Sequence, residues 1–572
     1  MNAPQHGSGM PPQSPSGHSD GQQEGFKAGD EIARLNGTRA SHSSPLVPQR
    51  PSPEQAAYRI AQLVSASATG ELATANSQRA FIVGGWVRDY MMGRPSSDID
   101  IEVFSMTKTE LVRVLGAAFP GHLLVEAKDD RGPIKLVLGE GQCIDMTVAQ
   151  FRDESGSEQA HGDSGSIDEL VKSASRRRDF TCNSIYFDPL TGETRDPNGG
   201  IEDIKNKVLR LNEMYLQCPL QERTPLRASR LEAQLGFQLD PSSLCRITEC
   251  LQGAGSSVPR PIVNAQELRK FLCSPERPSV ALRSAFRSGL LEKIFPSITM
   301  LRNVPQDVQH HPEGDVFEHT MLVVDAAAML STGLKEGERY KIILAALYHD
   351  VGKISTTRIE DSKQGQKIVS PNHAAESERV AWSEFRSLGL SREVTGQACR
   401  MIRNHMRPLE FSLRARAANI KALDNQVRQL VRDVHPASFD SFLLLCRADQ
   451  MGRAVPDPVE RIRRIVVPVE DSVKRNGFLQ RPEERLLKGA DLDALGFDPK
   501  ETSYRDVLTH IERLRDEGRL KTSAEALRYA LKKYALPKAQ IEALGVLAHS
   551  EKSSFYKELA KAIETSEVSK VK

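Results

Sequence analysis

The chain has 572 residues and a formal net charge of +2, with 77 Lys and Arg against 75 Asp and Glu. That length exceeds what one hydrophobic core organises, so several domains are expected, and so even a balance says nothing about nucleic acid except through local clusters. Eight cysteines without a CxxC pair argue against a zinc ribbon or a disulfide scaffold and suit reduced thiols. Apolar stretches such as Ile342 to Tyr348 are too short to cross a bilayer. The N-terminus lacks the basic-then-apolar pattern of a signal peptide. A cytoplasmic protein with no membrane partner is expected.

In chain order, residues 1–55 are rich in Pro, Gly, Ser and Gln, a composition that buries too little apolar surface to offset its ordering entropy, and a disordered tail is predicted. From about 56 to 200 the pattern alternates helix and strand, interrupted by a polar Gly/Ser loop at 152–168. From about 200 onward the period is helical, dividing into a neck at 201–300, a helical domain at 301–470 and a helical tail at 471–572. The expected class is α+β: a mixed sheet with helices, followed by all-α domains.

The most informative run is GGWVRDYMMGRPSSDID at 84–100. Gly84 and Gly85 form a turn after the apolar strand Phe81, Ile82, Val83, and such a turn lets backbone N–H groups approach a triphosphate. Strand alternation puts Asp98 and Asp100 on one side and Ile99 and Ile101 on the other. Two neighbouring carboxylates repel each other unless a cation lies between them, and hard oxygen donors suit Mg²⁺. The combination reads as metal-assisted nucleotidyl transfer. Asp145, flanked by Ile144 and Met146, is a candidate third carboxylate, although an edge-strand acid facing water has the same pattern.

GGWVRDYMMGRPSSDIDIEVF, RRRDFTCNSIYFDP and DPNGGIEDIKNKVLR, in that order, resemble the class II tRNA nucleotidyltransferase and bacterial poly(A) polymerase family over roughly residues 56–300. The resemblance implies a polymerase-beta-like head in which Asp98 and Asp100 hold Mg²⁺ and a nucleotide contacts Gly84, Gly85, Arg88, Arg178, Asp179 and Asn183. Arg178 suits phosphate through its planar fork, and Asp179 suits a ribose hydroxyl. ATP is the implied substrate, with CTP open, and the partner is a tRNA or another RNA 3′ end. Relatives that add both nucleotides carry Glu-Asp-x-x-Arg on a following helix. Here that stretch is Arg223, Thr224, Pro225, Leu226, Arg227, followed by Arg230. The arginine donor is kept and both acids are missing, which leaves poly(A) addition as an alternative. Glu267 and Lys270, in the neck-like NAQELRKF, are spaced for an i,i+3 ion pair.

Further on, HPEGDVFEHTMLVV, ALYHDVGK and LLLCRADQMGR place His319, then His349 and Asp350, then Asp449 on apolar helices. Helices in a bundle can aim such groups at one point. The set resembles the HD phosphohydrolase superfamily, which implies a second divalent metal (Ni²⁺, Mn²⁺ or Mg²⁺) activating water against a phosphate ester. His373 and His405 read as loop or helix-start histidines, for which a surface position is expected; His373 is kept as a candidate ligand. A third reading is an RNA-end phosphohydrolase whose head only binds RNA. Nine basic residues against three acidic ones at 392–432, Arg400, Arg403, Arg407, Arg414 and Arg416 among them, suit either a solvated face or an RNA-gripping one. Oligomeric state is not legible.

Overall fold

In the computed structural model the described residues are 52–67, 79–96, 98–127, 132–139, 141–149, 151–152, 158–159, 166–217, 220, 223–253, 265–362, 365–414, 420–477, 485–494, 504–516 and 519–533. The expected tail at 1–55 lies outside them up to residue 51, as do most of the polar loop at 152–168 and much of the C-terminal tail. The chain forms two compact units, Met1–Gln217 and Cys218–Lys572.

The first unit opens with helix α1 (Pro53–Ala66), whose start is written into its sequence. Ser52 caps Gln55 N–H, the Gln55 side chain accepts from Ser52 N–H, and Pro53 occupies the first turn. Strand β1 (Arg79–Val83) leads through Gly84 into the short helix α2 (Gly85–Met91), then β2 (Ile99–Phe104), α3 (Lys108–Ala118), β3 (Leu123–Glu126), β4 (Ile134–Gly139) and β5 (Gln142–Val148). Helix α4 (Ile167–Ser175) precedes β6 (Tyr186–Phe187) and β7 (Thr194–Arg195). These strands form one mixed sheet in the order β3-β4-β5-β2-β1-β6-β7. β2 and β5 are parallel, and β1 is antiparallel to both β2 and β6.

Alternation along the strands builds two cores. Ile82, Ile99, Ile101, Val103, Ile144 and Met146 pack with α1 and α3, while Phe81, Val83, Phe104 and Tyr186 pack with α4. Each fully buried aliphatic or aromatic side chain stabilises by about 1.5–3 kcal/mol relative to exposure, so the register is held by many such residues at once. At the start of β2 the α4 side of the sheet is open, and there Asp98 and Asp100 are exposed on either side of buried Ile99.

Among its described residues the second unit is mainly helical, with a hairpin of β8 (Arg358–Ser362) and β9 (Gly365–Val369). Its centre is made by α5 (Val316–Leu330), α6 (Glu336–Tyr348) and α7 (Phe439–Met451), which pack on one another. Asp315 caps α5 by accepting from Glu318 N–H (2.9 Å). Every residue from Tyr340 to Tyr348 is buried, so the run Ile342 to Tyr348 that ends α6 is apolar all round, as a helix inside a bundle must be.

Candidate active site and candidate metal centre

The parallel ladder pairs Asp100 of β2 with Asp145 of β5. Paired residues on parallel strands point to the same face, so Asp145 joins the side that carries Asp100. Asp145 is half-buried, 3.2 Å from Lys135 Nζ, and this contact is the main reason the lysine titrates above its ordinary value.

Gly84 sits directly over this face. Its backbone (φ 84°, ψ −142°) is in a region open in practice only to glycine. A Cβ there would lie 2.9 Å from Asp100 Oδ2 and 3.7 Å from Arg178 Nη1. The space beside Gly84 is therefore bounded by a carboxylate and a guanidinium, as a metal-bound phosphate requires. Gly85 differs: the nearest atom to its missing Cβ is Arg88 Nη2, at 3.5 Å.

Arg178 Nη2 donates to Glu102 Oε2 (3.1 Å). Burial would lower the arginine's pKa, but Glu102 holds it above the ordinary value and keeps it charged. Arg88 and Asn183 are joined to each other: Arg88 Nη1 donates to Asn183 Oδ1 (2.7 Å), and its Nε and Nη2 donate to Asp89 (2.9 and 2.7 Å). Asp179 Oδ1 accepts from Phe180 N–H (2.9 Å) and Asn183 Nδ2 (3.3 Å). Arg88 and Asn183 thus brace α2 against the Thr181–Asn183 turn. Asp196 caps the next helix through Gly200 and Ile201 N–H (both 2.8 Å), the structural role its DPNGG turn suggests.

Arg227 and Arg230 belong to the second unit, on the helix Thr224–Leu235. Arg223 precedes that helix as its N-cap residue, and Thr224 is buried. Glu267 lies 3.9 Å from Arg230, and not against the exposed Lys270 expected from the i,i+3 spacing. Contact across helices overrode the local pairing.

In the second unit four predicted ligands converge. His319 Nε2 lies 3.2 Å from Asp449 Oδ1 and 3.8 Å from Asp350 Oδ2. His349 Nε2 lies 3.2 Å from Asp350 Oδ2 and 4.0 Å from Asp449 Oδ1. The surface position expected for His373 and His405 is corrected: both are buried, because the helices they begin and end pack against the bundle. Their Nε2 atoms lie 3.2 and 3.7 Å from Asp350 Oδ1. Asp350 therefore stands between two ligand sets, His319, His349 and Asp449 on one side and His373 and His405 on the other.

The tautomers favour a cation. Nδ1 of His349, His373 and His405 each meets a backbone carbonyl three residues back, of Ala346, Ser370 and Ile402 (2.7–2.8 Å), so in the neutral ring Nδ1 carries the proton and Nε2 is the nitrogen left for a metal. Nδ1 of His319 meets Glu313 Oε1 at 2.8 Å. His349 Nε2 is buried without hydrogen-bonding geometry to any partner, an orphan that a metal would satisfy. Burial opposes charge on the acids, yet His349 and Lys353 hold Asp350 well below the ordinary carboxylate range, and Arg453 and His319 do so for Asp449. Asp350, His373, His405 and Asp449 open on a cavity of about 600 Å³ lined also by His311, Lys353, Arg358 and Arg453.

Sequence reasoning missed Glu102, Tyr186, Glu313 and Arg453. Glu102 was signalled by continuing the acidic alternation after Asp98 and Asp100; Glu313 lay in the HPEGD loop without a pattern to mark it.

Fold and sites together define a nucleotidyltransferase head and an HD domain with a candidate metal centre in one chain. The poly(A) polymerase head domain model matches residues 80–210, and the HD domain model matches 316–429. A multifunctional CCA protein of Xanthomonas campestris pv. campestris is 30% identical over 393 residues, covering 66% of this chain and 85% of that protein. One from Hahella chejuensis is 26% identical over 381 residues, covering 65% and 82%. This chain belongs to the multifunctional CCA protein family. Among solved structures, the Bacillus stearothermophilus CCA-adding enzyme in complex with CTP superposes with a TM-score of 0.52 at 18% identity, over 85% of this chain and 99% of that one. A CCA-adding enzyme with ATP gives 0.51 at 15% identity, over 86% and 98%. Both show likeness of fold.

Proposed function

We propose that this chain is a template-independent RNA 3′-end nucleotidyltransferase that completes the CCA end of tRNA, and that its HD centre is a metal-dependent phosphohydrolase. The observation that carries the first activity is the register setting Asp100 beside Asp145, with Asp98 one pleat away, beneath a glycine that leaves room for phosphate.

In this reading Asp98, Asp100 and Asp145 hold Mg²⁺. Bound there, the ions supply the positive charge that acidifies the RNA 3′-hydroxyl and stabilises the departing pyrophosphate. Arg178 takes a triphosphate oxygen, Asp179 the ribose, and Arg88 with Asn183 keeps the Asp179 turn in place. The protein's contribution is positional and electrostatic. Arg227 and Arg230, on the helix Thr224–Leu235, keep the arginine donor of the base-reading motif, while no acid stands at 223 or 224. Addition of CTP as well as ATP rests on the family. At the HD centre His319, His349, Asp350 and Asp449 hold one divalent ion, and Asp350 with His373 and His405 offers an adjoining place. No described helix is long and apolar enough to cross a membrane, in keeping with a cytoplasmic enzyme.

The test supplies tRNA lacking CCA with each labelled nucleotide separately and together. C followed by A is expected from the native chain, and nothing from Asp100→Asn. Long runs of A alone would replace CCA addition by poly(A) addition; undiminished incorporation by Asp100→Asn would remove the site. His349→Ala is expected to abolish phosphate release from RNA ends while leaving incorporation intact.

A further inference from the structure

We propose that Glu102 and Tyr186 form a rigid clamp that aims Arg178 at the triphosphate, which makes Glu102 a positioning residue for nucleotidyl transfer. The inference rests on the reading of Arg178 as a phosphate ligand.

One oxygen of Glu102, Oε2, accepts from both Arg178 Nη2 (3.1 Å) and the Tyr186 hydroxyl (2.8 Å). The carboxylate is buried, and Tyr186 is completely so. The tyrosine ring is itself fixed, meeting Phe81 edge-on (6.1 Å between centroids, 82°) and Phe104 likewise (6.0 Å, 61°). The Arg178 guanidinium carbon lies 5.7 Å from the centre of that ring. The guanidinium is thus held along one edge by an ion pair and across one face by an aromatic ring. Its other terminal nitrogen, Nη1, lies 3.7 Å from the place a Gly84 Cβ would take, which is also 2.9 Å from Asp100 Oδ2.

A flexible arginine would have to be ordered each time a nucleotide binds. Here the ordering belongs to the fold, because Glu102 sits on β2 two residues beyond Asp100, on the same side of the strand. The strand that presents the metal-binding acid therefore also sets the arginine, and the spacing between metal and guanidinium is a property of one strand. A counter-ion that merely neutralised a buried arginine would leave nucleotide affinity unchanged once the protein folds. A clamp would not.

The experiment measures KM and kcat for ATP and CTP on tRNA lacking its terminal nucleotides, in the full chain, with Glu102→Gln, Tyr186→Phe, Arg178→Ala and the Glu102→Gln/Arg178→Ala double variant. Glu102→Gln is expected to raise the nucleotide KM about tenfold and Tyr186→Phe about threefold, with kcat and the KM for tRNA little changed. In the Arg178→Ala background Glu102→Gln is expected to add nothing, since its effect passes through the arginine. Nucleotide KM values within twofold of the native chain in Glu102→Gln, or full additivity in the double variant, would overturn the clamp. Should Glu102→Gln fail to fold, an unchanged KM in Tyr186→Phe would overturn it equally. An Arg178→Ala variant with native nucleotide KM would instead remove the arginine from the phosphate site, and the clamp with it.

Discussion

Gly84→Ala should slow nucleotide incorporation although it adds a single methyl group. At φ 84° and ψ −142° an alanine carries backbone strain of about 1–3 kcal/mol. Its Cβ would also stand 2.9 Å from Asp100 Oδ2, so the carboxylate must retreat by about 0.5 Å to restore an ordinary contact of 3.4 Å. A side-chain tip can make that move at little cost in stability. Catalysis has no such tolerance, because misplacing a reacting group by about 1 Å costs about 10²-fold. At half that displacement a fall in kcat of about tenfold is expected, measured as labelled CTP and ATP incorporated into tRNA lacking CCA. Gly85→Ala is the control. Its Cβ meets only the Arg88 guanidinium, at 3.5 Å or more, and alanine is favoured in a helix, so activity within about twofold of native is expected. Phosphate release by the HD centre should be native in both. A Gly84→Ala enzyme within threefold of native kcat, or a Gly85→Ala enzyme equally damaged, would refute the reasoning.

Two further outcomes follow from close packing and from buried polar groups. In Gly352→Ala the new Cβ would fall 2.3 Å from His373 O and 2.6 Å from Ser377 N, backbone atoms that cannot swing aside, so the helix carrying His373 must shift. Metal bound per chain, measured by elemental analysis, should drop while nucleotide incorporation persists; full metal content would contradict the packing. Asp203→Ala removes the buried partner of the Thr181 hydroxyl (2.7 Å) and Arg210 Nε (3.2 Å), and should cost the head about 1–3 kcal/mol by denaturant unfolding. A loss below about 0.5 kcal/mol would show that water replaces the carboxylate freely.

Much of both sites was legible because their signals are local. Strand alternation in SSDIDIEVF put Asp98 and Asp100 on one side, and the Gly-Gly turn marked where the chain changes direction. The apolar helices around His319, His349, Asp350 and Asp449 announced a bundle with ligands facing inward. What stayed hidden depended on partners distant in the chain. The i,i+3 spacing of Glu267 and Lys270 suggested a local pair, but Arg230 lies nearer to the glutamate. His373 and His405 read as surface residues because they stand at a loop or helix start, and only helix packing buries them.

By itself, the sequence singled out the candidate residues: paired aspartates after a glycine turn, an arginine run before a strand, and His, His-Asp and Asp on apolar helices. These are properties of strand and helix period, decided within a few residues. Tertiary structure alone decided that Asp145 lies beside Asp100, that Gly84 and not Gly85 borders the acid, that Glu102 holds Arg178, and that Asp350 stands between two sets of ligands. Each depends on which strand pairs with which, or which helix end meets which, and no local period encodes a neighbour brought in from far along the chain.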